Sequence, residues 1–222
     1  MIERIGILGA GAWGTALAGA ARRAGRTVVL QAHEANVASA IAHEHCNHRY
    51  LPGVVLDAGI HATTEPAAAV SGADAVLLAC PAQHLRAVAA AAAAGWPAGV
   101  PAVICAQGIE QRTLALLSDV IAEVIPAAVP CVLSGPSFAA EVARGLPAAL
   151  TLASRAARLR ERLAAALATP SLRIYSTDDV IGAQVGGAIK NVIAIACGTV
   201  AGRGLGDNAR AALITRGLAE MA

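Results

Sequence analysis

Ile5-Gly6-Ile7-Leu8-Gly9-Ala10-Gly11-Ala12-Trp13-Gly14 is the stretch on which the reading of this chain turns. Residues 5–8 form a short apolar run of the kind a buried strand shows, and an alanine-rich helical pattern follows to Arg23. Between them Gly9, Gly11 and Gly14 fall in the G-x-G-x-x-G spacing. The first glycine permits a tight turn out of the strand, the second lets a pyrophosphate approach the backbone, and the third lets the helix pack close to the sheet. The phosphates would lie on the free N–H groups of the helix start at Ala12 and Trp13, at the positive end of its dipole. In a chain with 22 glycines the spacing alone is weak. Its place after a strand, before a helix and ahead of a second strand makes it a dinucleotide site.

The second strand is expected at residues 27–31. An acid near the end of this strand, on the ribose hydroxyls, is the usual mark of NAD binding. Here the strand runs out as Gln31-Ala32-His33-Glu34, with no carboxylate at its tip. His33 could approach a 2′-phosphate instead, so these residues lean towards NADPH or use of both cofactors. Further strands are expected at 75–80, 102–106, 130–133, 149–153 and 172–175, and helices at 35–45, 83–94, 114–124 and 156–168. That alternation predicts a doubly wound sheet whose ligand loops, at 9–14, 31–34, 81–83, 107–110 and 134–139, share the carboxyl edge. From Asp178 the character changes to two helical stretches, 180–200 and 208–222, joined by a glycine-rich turn. The predicted architecture is α/β: a Rossmann-type doubly wound sheet over residues 1–178, then the start of an all-helical second domain over 179–222.

Composition narrows the function. Hydrophobic residues make up 56% of the chain but aromatics only 2%, so the core must be built from Ala, Val, Leu and Ile. A net charge of +2 without a dense Lys/Arg run gives no case for a nucleic-acid partner. The five cysteines are odd in number and widely spaced, which is reduced, cytoplasmic usage rather than a disulfide framework. His43, His45, Cys46 and His48 cluster but match no common zinc spacing, so no metal is expected. The apolar run of residues 180–202 carries Lys190 and Asn191 at its middle, which speaks for a buried functional helix and against a membrane span.

Lys190-Asn191 is the sharpest candidate for chemistry. Burial among apolar residues lowers a lysine pKa and suits it to proton transfer near neutral pH. A ketone reduced by hydride needs a proton at its oxygen; Lys190 could deliver it, with Asn191 holding the lysine or the substrate by hydrogen bonds. Gly135 and Ser137 offer a backbone N–H and a hydroxyl at a helix start, suited to a phosphate or a hydroxylated substrate.

The blocks Gly9-Ala10-Gly11-Ala12-Trp13-Gly14-Thr15-Ala16-Leu17-Ala18, Tyr50-Leu51-Pro52-Gly53, Ser134-Gly135-Pro136-Ser137-Phe138-Ala139, Gly186-Gly187-Ala188-Ile189-Lys190-Asn191 and residues 208–217 together resemble the bacterial NAD(P)-dependent glycerol-3-phosphate dehydrogenases. The resemblance implies reversible reduction of dihydroxyacetone phosphate to sn-glycerol 3-phosphate with NADPH or NADH, the start of phospholipid synthesis. It implies cofactor contacts at Trp13, His33, Tyr50 and Ala139, substrate contacts at Gly135 and Ser137, and Lys190 as proton donor and acceptor. The family usually has a lysine, touching both cofactor and substrate, where this chain has Gln107; glutamine keeps hydrogen bonding but brings no positive charge. The resemblance also implies further chain that completes the helical domain and the grip on the substrate phosphate, with a homodimer once that domain is complete. Two other readings stay open at this point: a related hydroxyacid dehydrogenase, and a nucleotide-binding unit without turnover.

Overall fold

The computed structural model describes residues 1–221. Among them the chain runs β1 (Arg4–Leu8), α1 (Ala12–Arg23), β2 (Thr27–Gln31), α2 (Ala35–Ser39), β3 (Cys46–Asn47), β4 (Leu51–Val55), β5 (Ile60–Thr63), α3 (Pro66–Val70), β6 (Ala75–Leu78), α4 (Leu85–Ala92), β7 (Pro101–Ile104), α5 (Leu117–Val124), β8 (Val129–Ser134), α6 (Ala139–Ala143), β9 (Ala148–Ala153), α7 (Ala157–Leu167), β10 (Leu172–Thr177), α8 (Val180–Gly202) and α9 (Gly206–Met221). Eight strands form one sheet in the order β10-β9-β8-β7-β6-β1-β2-β5, and β3 pairs with β4 outside it. The turn from β5 through β8 is parallel throughout.

The central strands read as unbroken apolar runs because both faces are covered. Alternate residues divide between two cores. Ile5, Ile7, Leu30 and Leu77 face one core with α1, while Leu8, Val29, Val76 and Leu78 face the other with α4 and α5. Small residues let the layers sit close. Ala16, Ala18, Ala20 and Ala21 of α1 are buried, and a Cβ on Gly6 would stand 2.5 Å from the Ala69 carbonyl oxygen.

The expected doubly wound sheet is present, and two helix expectations need correction. In the sheet, β9 pairs with β8 antiparallel and β10 follows β9 in parallel. The short α6 packs on α1, where Arg23 donates to the carbonyls of Val142 and Ala143 at 2.6 and 3.1 Å, and the chain returns beside β8 instead of crossing over. The helix expected from residue 114 begins at Leu117, because Leu114 takes φ +58° and Ile109 bridges to Leu116. The apolar helix α8 is largely exposed, with only Val180, Gln184 and Gly187 buried, and α9 buries none of its described residues. Strands β4 and β5 and helix α3 were not expected. Pro52 and Gly53 in β4, and a four-residue edge strand carrying His61 in β5, hide them. Ala222, the expected end of the last helix, lies outside the described residues.

By length and mean hydropathy, 1.6 over its most apolar window, α8 could cross a bilayer. Its first turns are instead latched to the sheet domain. The Asp179 carboxylate accepts from Gly182 N at 2.8 Å as an N-cap. The buried Gln184 accepts from Ser118 N and donates to Ser118 Oγ, both at 2.9 Å.

The tightest seat is that of α1, where a Cβ on Gly14 would overlap the Gly9 carbonyl oxygen. Gly14→Ala should lower the unfolding free energy by about 1–3 kcal/mol, as overpacking does, read as a lower urea midpoint at unchanged slope.

Candidate active site

At the carboxyl edge β1 turns sharply at Gly9, which takes φ +106° and donates its N–H to the Gln31 carbonyl at 3.1 Å. The next residues open α1. No side chain caps this helix at Gly11, so its first N–H groups stay free for a ligand. A Cβ built on Gly11 meets nothing within 4 Å. Protein packing therefore does not require glycine there, whereas a group lying directly on the backbone would. These residues begin a cavity of about 960 Å³. It is lined by Gly9 to Trp13, by His33, Glu34 and Tyr50 on one side, and by Gln107, Gly135, Ser137, Ala139 and Lys190 towards the other end.

Beside β2 a small polar cluster forms one wall. The Tyr50 hydroxyl donates to Glu34 Oε1 at 2.6 Å, and Arg49 Nη1 lies 3.5 Å from the same oxygen. The Arg49 guanidinium also stands over the Tyr50 ring, 5.2 Å from its centre. The Tyr50 hydrogen bond holds the Glu34 carboxyl below its usual range, and Glu34 in turn raises the Tyr50 phenol. The buried Asn47 ties this wall to the glycine turn. Its Nδ2 donates to the Ala10 carbonyl and to Thr15 Oγ1, both at 2.9 Å, while its Oδ1 accepts from Tyr50 N at 3.1 Å.

At the other end, Lys190 Nζ donates to the Gly135 carbonyl at 3.4 Å. Lys190 is half-buried, and burial lowers its pKa. The direction is the expected one, although the helix around it is mostly exposed. Gly187 brings α8 against β8, where its Cβ would meet Ser134 Oγ at 3.0 Å and Gln107 Cγ at 3.5 Å. Ser137 Oγ turns to the Ala149 carbonyl at 3.4 Å. A second cavity of about 340 Å³ shares Gly135 and Lys190 with the first.

The loop after Gln107 is clamped by α4. Arg86 donates to both oxygens of the buried Glu110, at 2.8 and 3.0 Å, and Thr113 Oγ1 donates to it as well. Just before α4, Gln83 donates to the Ile109 carbonyl at 2.9 Å and accepts from Gln111 N at 3.0 Å. The bidentate Arg86 pair pulls the Glu110 carboxyl down to about 2.

Known proteins show the same pattern. The sequence profile described as NAD-dependent glycerol-3-phosphate dehydrogenase N-terminus matches residues 4–160, and the corresponding C-terminus profile matches residues 179–222. The chain belongs to the NAD-dependent glycerol-3-phosphate dehydrogenase family. Among its relatives, glycerol-3-phosphate dehydrogenase (NAD(P)+) of Paramagnetospirillum magneticum is 61% identical over 99% of this chain and 80% of its own length. The one from Rhodospirillum rubrum is 56% identical over all of this chain and 63% of its own length. The crystal structure of glycerol-3-phosphate dehydrogenase from Coxiella burnetii superposes with a TM-score of 0.92 at 37% identity, covering 99% of this chain and 67% of that one. The chain thus spans about two thirds of several relatives.

The fold gathers most of the family positions picked out in the sequence. Gly9, Gly11, Ala12, Trp13, His33, Tyr50, Gln107, Gly135, Ser137, Ala139 and Lys190 all line the large cavity. Gly14 is buried beneath it in its packing role. Asn191 does not join them: it is exposed and lines neither cavity, being one residue round the helix from Lys190. Glu34 stands close beyond the tip of β2, and the turn into α2 brings its carboxylate to the wall. His33 and Glu34 both line the cavity at this end. Nothing in the spacing announces Arg86, whose partner lies 24 residues away.

The Glu110 carboxyl lies below its unfolded value of about 4.3, so its stabilising effect is complete above that pH and is lost as pH falls towards about 2. Glu110→Gln should flatten the acid limb of stability across that window, measured by denaturant unfolding at stepped pH.

Proposed function

We propose that this chain carries the cofactor half and the proton-transfer lysine of an enzyme that reduces dihydroxyacetone phosphate to sn-glycerol 3-phosphate with NADH or NADPH. The observation behind this reading is a single continuous cavity. It begins at the uncapped start of α1 and ends at Lys190, 190 residues into the chain, where α8 leans on β8. We also propose the division into a dinucleotide-binding unit over 1–178 and the first part of a helical unit over 179–222. The change from alternating strands to two long helices at Val180 supports it.

In this reading Gly9, Gly11, Ala12 and Trp13 hold the pyrophosphate against the helix start, while Glu34, Tyr50 and His33 meet the adenosine ribose. The nicotinamide, when bound, supplies a hydride to the ketone carbon. Lys190 supplies the proton to the oxygen, and its lowered pKa eases that transfer and its reverse. Gly135 and Ser137 bound the substrate end, with Ala139 completing the wall of the cavity. Gln107 offers an amide N–H to the developing charge but no net charge of its own.

Gln107 is also the observation that favours a second reading, a unit that binds the dinucleotide without turning it over. A homodimer in the cytoplasm is the setting proposed for the complete enzyme. Exposed Val192 and Ile195 on α8 and five free cysteines support it.

The test is oxidation of NADH and NADPH with dihydroxyacetone phosphate. Lys190→Ala should lower kcat by about 10²–10⁴ with cofactor affinity unchanged. Gln107→Lys should raise it by about tenfold or more, the scale of one charged contact to a developing oxyanion. Cofactor binding without turnover in both the parent chain and Gln107→Lys would establish the second reading. Glu34→Gln should shift the affinity ratio towards NADPH by about tenfold, since one repulsive charge near a 2′-phosphate is worth on the order of 1 kcal/mol.

A further inference from the structure

The large cavity leaves unexplained a cluster at the opposite end of the β2–β4 connection. After α2 the helix widens into a π turn over Ala40–Glu44, His45 reverses it with φ +53°, and β3 begins at Cys46. This path brings together Glu44, Cys46 and His48. Their ligand atoms all lie within 4.8 Å of one another. Cys46 Sγ stands 2.9 Å from His48 Nε2, and Glu44 Oε2 stands 3.1 Å from that same nitrogen.

One imidazole nitrogen serves both neighbours only poorly, at best as a shared N–H that gives the sulfur a weak bond. If Nε2 carries a proton it donates to the carboxylate and has no lone pair left for the thiol. If Nε2 is bare it accepts from the thiol and turns a lone pair on the carboxylate. A catalytic relay would use both ring nitrogens, one for each partner. Here sulfur, nitrogen and oxygen converge on one point, as donors do around a cation.

The backbone beneath the cluster is fixed. Asn47, between Cys46 and His48, is buried and anchored to Ala10 and Thr15. Cys46 pairs with Val55, and the His45 carbonyl accepts from Leu56 N at 2.8 Å. The three side chains themselves are exposed or half-exposed, so an ion can reach them. Around a tetrahedral zinc-like ion such donors stand roughly 3.3–3.6 Å apart. The two contacts at His48 Nε2, 2.9 and 3.1 Å, need to open by roughly 0.3–0.6 Å, which exposed side chains can do.

We propose that Glu44, Cys46 and His48 form a binding site for a borderline divalent cation of the zinc class, with solvent in the fourth position. The thiolate, imidazole and carboxylate set selects such an ion over magnesium or calcium, which take oxygen ligands. The spacing of His43, His45, Cys46 and His48 gave no sign of it, because the third ligand is Glu44 and the π turn, not the spacing, delivers it.

The test is titration of the reduced chain with Co²⁺, followed by the sulfur-to-cobalt charge-transfer band and the visible bands of tetrahedral cobalt. One Co²⁺ per chain is expected, displaced by Zn²⁺. Cys46→Ser should abolish the charge-transfer band. Glu44→Gln and His48→Ala should each weaken binding by about tenfold or more, at least the cost of losing an outer-shell partner. Cys197→Ser, the other cysteine that is not fully buried, should leave the titration unchanged. Absence of the band at millimolar Co²⁺, its loss in Cys197→Ser, or equal affinity in Glu44→Gln and His48→Ala would each overturn the site.

Discussion

The contact between the start of α1 and the turn out of β1 governs this structure. With no Cβ on Gly14, the helix rests directly on the Gly9 carbonyl, and the first free N–H groups of α1 reach the floor of the cavity. The same closeness continues outward. Alanines rather than leucines face the sheet along most of α1, and Gly6 admits the Ala69 carbonyl from the opposite face. A core almost without aromatics is thus a condition of thin spacing between layers. Larger side chains would lift the helices and carry the N–H groups of α1 away from whatever lies on them.

The rest of the cavity is attached to this seat by a few directed hydrogen bonds. Asn47 brings Tyr50, and through it Glu34, to the glycine turn. Arg23, at the far end of α1, holds the chain of α6 that follows Ser137 and Ala139. Arg86 and Gln83 fix the loop after Gln107, and Gln184 holds α8 on α5. At helical rise the ten residues from Val180 to Lys190 cover about 15 Å, which carries Lys190 from the latch to Gly135. Most of these pins join residues far apart in sequence, so the geometry of the cavity depends on the assembled sheet.

The parts legible in the sequence were those where local pattern and tertiary demand coincide. β1, α1 and β2 follow from a buried apolar run, a glycine turn and an alanine stripe. The loops that line the cavity follow from the rule that ligands sit beyond strand carboxyl ends. What stayed hidden depended on neighbours the sequence does not name. The reversal of β9 rests on α6 docking against α1. The exposure of α8 rests on how much protein surface surrounds it, and an apolar helix reads the same buried or bare. The arrival of Glu34 at the wall, and of Glu44 beside Cys46, is decided by a turn and not by a strand tip or a ligand spacing. Asn191, adjacent to Lys190 in sequence, stands about 100° round the helix from it.

Lys190 belongs to both cavities at once, and so stands as a partition. One side faces the space where the ketone of the proposed reaction would lie. The other faces a recess walled by Ser134, Thr151, Thr177 and Asp179. Any movement of this side chain therefore reshapes both hollows together, so neither is an independent space.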